Sequence, residues 1–187
     1  MESPFFRPSP SEGATDNLAP IVSMVGRLPV GNEAPMTREQ YAHYVAQPYQ
    51  GIIGIAVHHV AATSTVEATA SFHTRPVAEG GRGWPNIGYY AFIDMDGTTY
   101  ICNSLDTASY HVAGRNHELL GIVFNGDLTA SFPTDAQIRA FNRLHPRLVA
   151  KLGYDLPVNG HKHWALPSSP SACPGGLWAQ WKHRLLP

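Results

Sequence analysis

The stretch Gly51 to Val60 constrains the fold more than any other. Ile52, Ile53, Ile55 and Val57 form a short apolar run bounded by glycine and polar residues. Such a run reads as a strand buried on both faces, which requires structure layered on each side of a sheet. It ends in His58-His59, so it delivers two imidazoles to a strand terminus. Leu119 to Asn125 reads as a second buried strand. Gly88 to Asp94 and Thr98 to Asn103 flank Met95-Asp96-Gly97, and Asp-Gly between strand-like runs signals a hairpin.

Helices fit between these strands. Thr37, with Gln40 three residues on, caps a short helix running to about Ala46, and a second helix covers Thr65 to His73. Gly80 to Pro85 reads as a loop. Thr134 and Gln137 form another capping box, and Ile138, Phe141, Leu144, Leu148 and Leu152 recur at helical spacing until Gly153 closes the helix. Pro146 lies inside this helix and is expected to kink or divide it. A last short helix is expected over Leu177 to Leu186. The order of elements implies an α/β or α+β class.

At 187 residues the chain suits one domain with a short appendage. Residues 1 to 36 carry Pro8, Pro10, Pro20, Pro29 and Pro35 and read as an extended N-terminal arm; residues 37 to 187 form the domain. Only 14% of residues are charged, so the balance is that of a compact chain rather than a disordered one. No run of 18 apolar residues exists, which excludes a transmembrane helix. The start lacks the basic-then-apolar pattern of a signal peptide, and two cysteines make no disulfide framework, so synthesis in a reducing cytoplasm is expected. From Ile138 onward there are seven Lys and Arg against Asp155 alone. Arg139, Arg143, Arg147 and Lys151 share one helix face, either as a solvated surface or as a dock for an anionic polymer.

Ten histidines direct attention to metal or acid–base chemistry. Metal-ligand types concentrate at His58-His59, at Gly160-His161-Lys162-His163 and at Ala172-Cys173-Pro174-Gly175. Two imidazoles and one thiolate suit zinc and leave a fourth position for water, as catalytic zinc requires. The spacing alone also permits hydrogen-bonded histidines and an inert core cysteine. The HExxH, GxSxG and phosphate-loop patterns are absent. A cysteine nucleophile, Cys173 or Cys102 beside a histidine, remains open.

The ordered set Ile55-Ala56-Val57-His58-His59, Asn86-Ile87-Gly88-Tyr89-Tyr90, Asp96-Gly97-Thr98, His111-Val112-Ala113-Gly114-Arg115-Asn116, Gly121-Ile122-Val123, Gly160-His161 and Ala172-Cys173-Pro174-Gly175 resembles the zinc-dependent N-acetylmuramoyl-L-alanine amidases of type 2. That family includes phage lysozyme-amidases and the peptidoglycan recognition proteins, and the match runs from about Gly51 to Leu185. The resemblance implies an α/β fold with a central mixed β-sheet flanked by helices and one zinc ion in an open groove. By position, it implies His58, His161 and Cys173 as the ligands, with His59 set aside. It further implies Tyr89 as the catalytic tyrosine, His111 and Asn116 in the substrate groove, and Asp127 in a supporting turn. Trp84, Trp164 and Trp178 are candidate apolar walls, with Trp178 and Trp181 also readable as anchors of the last helix.

The chain departs from the pattern at Ser171, where many active members carry Lys or Thr, and in a longer His161-to-Cys173 loop. Ser171, Lys162 and His163 are the candidates for the missing role. The implied activity is hydrolysis, by zinc-activated water, of the amide between N-acetylmuramic acid and L-alanine, as in a phage endolysin or related bacterial lysin. Peptidoglycan is the expected partner, with no nucleic acid, and the expected state is a monomer acting on the bacterial cell wall. Two alternatives stand beside it: a non-catalytic peptidoglycan-binding module and a cysteine-nucleophile cell-wall hydrolase.

Overall fold

Strand β2 (Gly54–His59) lies inside the sheet, and its Ile55, Ala56 and Val57 are wholly shielded from solvent in the computed structural model, which describes residues 19–185. Its neighbours, β5 (Leu119–Phe124) and β6 (Val158–Gly160), both run parallel to it. Beyond β5 come β3 (Ala91–Ile93), parallel, and β4 (Thr99–Ile101), antiparallel to β3. The edge strand β1 (Ile21–Ser23) pairs parallel with β4, giving the order β1-β4-β3-β5-β2-β6. The sheet is therefore mixed and six-stranded, with helices on both faces, as expected.

The β3–β4 hairpin forms where Asp-Gly stands. Gly97 takes a φ of 88°, and the Asp96 carboxylate accepts from the Thr98 N–H and hydroxyl. Part of the proline-rich arm is thus built into the sheet as β1, at an edge, where proline is tolerated. The arm's first 18 residues, with Pro8 and Pro10, lie outside the described residues, as do the last two of the chain.

Side chains alternate between two layers. Ile55, Val57, Ile122 and Phe124 pack with Ile138, Phe141, Leu144 and Leu148 of α3 (Asp135–Leu152). The Thr134–Gln137 capping box is present, and Gly153 closes the helix at a φ of 83°. Pro146 does not divide it: the helix is one unbroken 18-residue element. Proline costs a helix about 3 kcal/mol. Leu144 and Leu148, buried on either side of it, hold both halves to the same sheet and outweigh that cost. The C-terminal helix is shorter than expected. α5 (Trp178–Trp181) passes directly into a 3₁₀ turn at Lys182–Arg184. It has no side-chain cap, and its contribution is the burial of Trp178 and Trp181, whose rings meet edge-on at 4.8 Å.

On the opposite face, α2 (Val66–Thr74), capped by Thr65, buries Val66 and Ala70 with Phe92 and Val123. By strand alternation His58 and Gly121 project to this side, away from α3. Arg139, Arg147 and Lys151 are exposed, while Arg143 donates to the Ala19 carbonyl. The basic stripe therefore lies across the sheet from His58.

Helix α1 (Arg38–Tyr44) begins in the Thr37–Gln40 capping box and ends two residues before Ala46. It inserts Arg38, fully buried, against the segment that leads into β5. The Arg38 guanidinium donates to four carbonyls: Leu105, Asn116, His117 and Leu119. Burial lowers its pKa to about 10, which still leaves it charged at neutral pH. Arg38→Met would leave the Leu105, Asn116 and His117 carbonyls without this donor, while Leu119 keeps His111 Nε2. Each buried carbonyl left unpaired costs about 1–3 kcal/mol, so the chain is expected to lose about 3 kcal/mol or more of stability, as measured by equilibrium urea unfolding.

Candidate metal centre and groove

The pairing of β2 with β6 sets Val57 opposite Gly160. One step further along, His58 is the penultimate residue of β2 while His161 opens α4 (His161–Trp164), and their rings come to 4.7 Å between centroids. Cys173 arrives from 12 residues downstream because the Lys162 N–H donates to its carbonyl at 2.9 Å. Ring nitrogens of His58 and His161 and the Cys173 Sγ lie within 4.8 Å of one another, forming a group that could hold a metal ion.

The donors fit zinc in type and in spacing. Cys173 Sγ is 3.6 Å from His58 Nδ1. A sulfur at about 2.3 Å and a nitrogen at about 2.0 Å from one tetrahedral zinc stand about 3.5 Å apart. Each donor is also held from behind. The His58 Nε2 lies 3.1 Å from His111 Nδ1, and the His161 Nδ1 lies 3.3 Å from the Ser171 hydroxyl. The same hydroxyl accepts from the Cys173 N–H at 3.2 Å. The other candidates of this loop are placed elsewhere. His59 turns away, its Nδ1 accepting from the Leu128 N–H beside Asp127. Lys162 donates its Nζ to the Gly175 carbonyl, and the His163 ring lies beside Trp178.

Burial sets the protonation of these groups. It holds His58 well below the ordinary imidazole range, with the neighbouring histidines adding to the shift, and lowers His161 likewise. Both rings are therefore neutral with a free lone pair, the form that binds metal. Without a cation the Cys173 thiol is pushed up to about 11 by burial, against the pull of the His59 N–H and the Lys162 charge. Tyr89 sits with its ring 5.3 Å from that of His58. Burial, then the Cys173 charge, raise its pKa well above the ordinary range, so the hydroxyl remains a donor.

A groove of 660 Å³ opens beside the donor group, lined by His161 and Ser171 on one side and Trp84, Tyr110 and Arg82 on the other. Trp84 and Tyr110 stack at 6.1 Å. His111 and Asn116 form part of its wall, although both are largely buried. Asn116 accepts from the His111 and Val112 N–H groups and donates to the Tyr41 hydroxyl. Trp164 and Trp178 take other positions. Trp164 donates to the Ile55 carbonyl and carries the Arg115 guanidinium on its face, and Trp178 is in the core.

The sequence reading did not single out Arg82, Tyr41 or Tyr110 for the groove. Tyr110 stands directly before the His111 motif, and that adjacency was the available signal. Arg82 lies in the glycine-rich loop, where a lone cation carries no periodicity.

His73, behind Tyr89, accepts from the Gly88 N–H and is held at a pKa of about 4 by burial, then by Arg82. A lowered folded-state pKa means that the unfolded chain binds the proton first. Stability of the metal-free chain is therefore present above about pH 6.5 and is lost as pH falls toward about 4. His73→Asn, which keeps an acceptor for Gly88, is expected to flatten that loss by up to about 3 kcal/mol. Urea melts across the pH series measure it.

Residues 48–176 match the Amidase_2 family, described as N-acetylmuramoyl-L-alanine amidase. The human and mouse proteins named N-acetylmuramoyl-L-alanine amidase are each 27% identical over 105 residues, 54% of this chain. The chain spans about a fifth of the length of these curated relatives, 18% and 20% respectively. Among solved structures, Drosophila PGRP-LB superposes with a TM-score of 0.65 at 24% identity, over 88% of this chain and 94% of that one. The Ph2119 endolysin from Thermus scotoductus MAT2119 bacteriophage Ph2119 gives 0.62 at 21%, over 88% and 98%. The amidase LysC from Clostridium intestinale URNW gives 0.56 at 22%, over 87% and 97%. At these identities the structural likeness is one of fold.

Proposed function

The chain belongs to the N-acetylmuramoyl-L-alanine amidase family, and from that membership we propose that it is a zinc-dependent peptidoglycan hydrolase cleaving the amide between N-acetylmuramic acid and L-alanine. The observation that carries the reading is the His58, His161 and Cys173 donor group, within 4.8 Å, at the side of a groove of 660 Å³. We further propose one zinc ion per chain and a monomer acting on the bacterial cell wall, as an endolysin or related bacterial lysin. The 1–36 arm is proposed as an extension that contributes β1 to the amidase domain of residues 37–187.

An amide is a weak electrophile with a poor leaving group. The chemistry that a zinc ion held by His58, His161 and Cys173 supplies is polarisation of the carbonyl and acidification of water. Tyr89 donates its hydroxyl hydrogen to the carbonyl oxygen as negative charge grows there. Its proton is secure against loss because its buried setting disfavours phenolate. Ser171 bridges two of the ligands, fixing the His161 ring and the Cys173 backbone. It thereby takes a positioning role where many family members carry Lys or Thr. Trp84 and Tyr110 offer stacked aromatic faces to sugar or peptide, and Arg82 offers a cation to the free carboxylates of the stem peptide.

The test is end-group chemistry on isolated peptidoglycan, with a zinc chelator and with zinc restored. New L-alanine amino termini that disappear on chelation and return with zinc are expected. Reducing sugar ends would refute the amidase reading. Activity that survives complete metal removal would favour a Cys173 nucleophile, and binding without product would favour a recognition module. Tyr89→Phe is expected to lower kcat about 100- to 1,000-fold, the usual cost of one oxyanion donor, measured by steady-state release of those termini.

A further inference from the structure

The direction of a hydrogen-bond chain behind His58 assigns a task to His111. The Leu119 carbonyl can only accept, and it lies 3.2 Å from His111 Nε2. That nitrogen therefore carries the His111 proton, and His111 Nδ1 holds a lone pair. The lone pair faces His58 Nε2 at 3.1 Å, so that nitrogen must be the protonated one on His58. What remains is a lone pair on His58 Nδ1, the atom 3.6 Å from the Cys173 Sγ. We propose that His111 is a positioning residue that selects the ring nitrogen His58 presents to the metal. The inference rests on the metal-site reading above and goes beyond it by giving His111 a role behind the ligand, in place of contact with substrate.

The surroundings of His111 are built to hold this direction. The Leu119 carbonyl also accepts from Arg38 Nη1 at 2.9 Å, which pins the acceptor at the chain's origin. Asn116 clamps the His111 backbone N–H at 2.8 Å and is itself held by Tyr41. The ring lies flat over Gly121: a Cβ there would fall 2.8 to 3.0 Å from His111 Cγ, Nδ1 and Cδ2. Gly121 is thus the space in which the His111 ring sits. Arg38 and Tyr41 come from α1, so an element outside the matched family range of residues 48–176 holds a metal ligand's partner in place.

The test has a readout separate from activity. In metal-free wild type, a long-range proton–nitrogen correlation spectrum with labelled histidine is expected to show His58 in the Nε2–H tautomer. His111→Leu fills the space without an acceptor. It is expected to lose the single tautomer and to bind zinc about 10- to 100-fold more weakly in competition with a chromophoric chelator. His111→Asn, whose Oδ1 can stand where Nδ1 stood, is expected to recover most of that affinity. Gly121→Ala is expected to weaken binding as His111→Leu does. Wild type that binds zinc with His58 in the Nδ1–H tautomer would overturn the inference alone. So would a folded His111→Leu, judged by an unchanged near-ultraviolet spectrum, that binds zinc like wild type. Wild type that binds no zinc would overturn the metal-site reading itself.

Discussion

The pairing of β2 with β6 is the constraint on which the site depends. It is only three residue pairs long, yet the Val57–Gly160 register brings the end of one strand and the start of one helix to the same point. A slip of one residue would turn His58 to the α3 face and separate it from His161. The register is held by what lies beneath it. Ile55 and Val57 are locked into the α3 layer, and the Trp164 indole donates back to the Ile55 carbonyl. The hydrophobic core therefore does more than stabilise the fold: it fixes the separation of two donors.

The third donor is placed by the backbone. Lys162 and Cys173 share a main-chain hydrogen bond, and Ser171 joins the His161 ring to the Cys173 amide. Burial keeps both imidazoles neutral and disfavours the free thiolate. A cation held there would balance the negative charge of a Cys173 thiolate, and the neutral rings need no proton removed. The donor group could hold a metal ion, with the groove open beside it.

Much of this was legible in the chain. The two buried strands, the Asp-Gly hairpin and the threonine caps all arise from local rules, and each appears where its residues stand. His58, His161 and Cys173 were visible as residue types, but their proximity was not derivable from spacing and came from resemblance to a family. What stayed hidden was non-local. β6 is too short to show a period, β1 lies in a proline-rich stretch, and nothing in the sequence marks Arg38 as a buried cation serving four carbonyls. Pro146 fails to divide its helix for the same reason: its local cost is plain in sequence, whereas the packing that outweighs it is not. The basic face of α3 was visible too, but only the fold shows that the sheet separates it from the groove.

Three donors, set by one strand register and one main-chain bond, are proposed to form a single zinc site. X-ray absorption at the zinc edge of the metal-loaded chain tests it most directly. One zinc per chain is expected, with one sulfur at about 2.3 Å and two imidazole nitrogens at about 2.0 Å. A loaded site without sulfur, or a chain that retains no stoichiometric zinc, would contradict it.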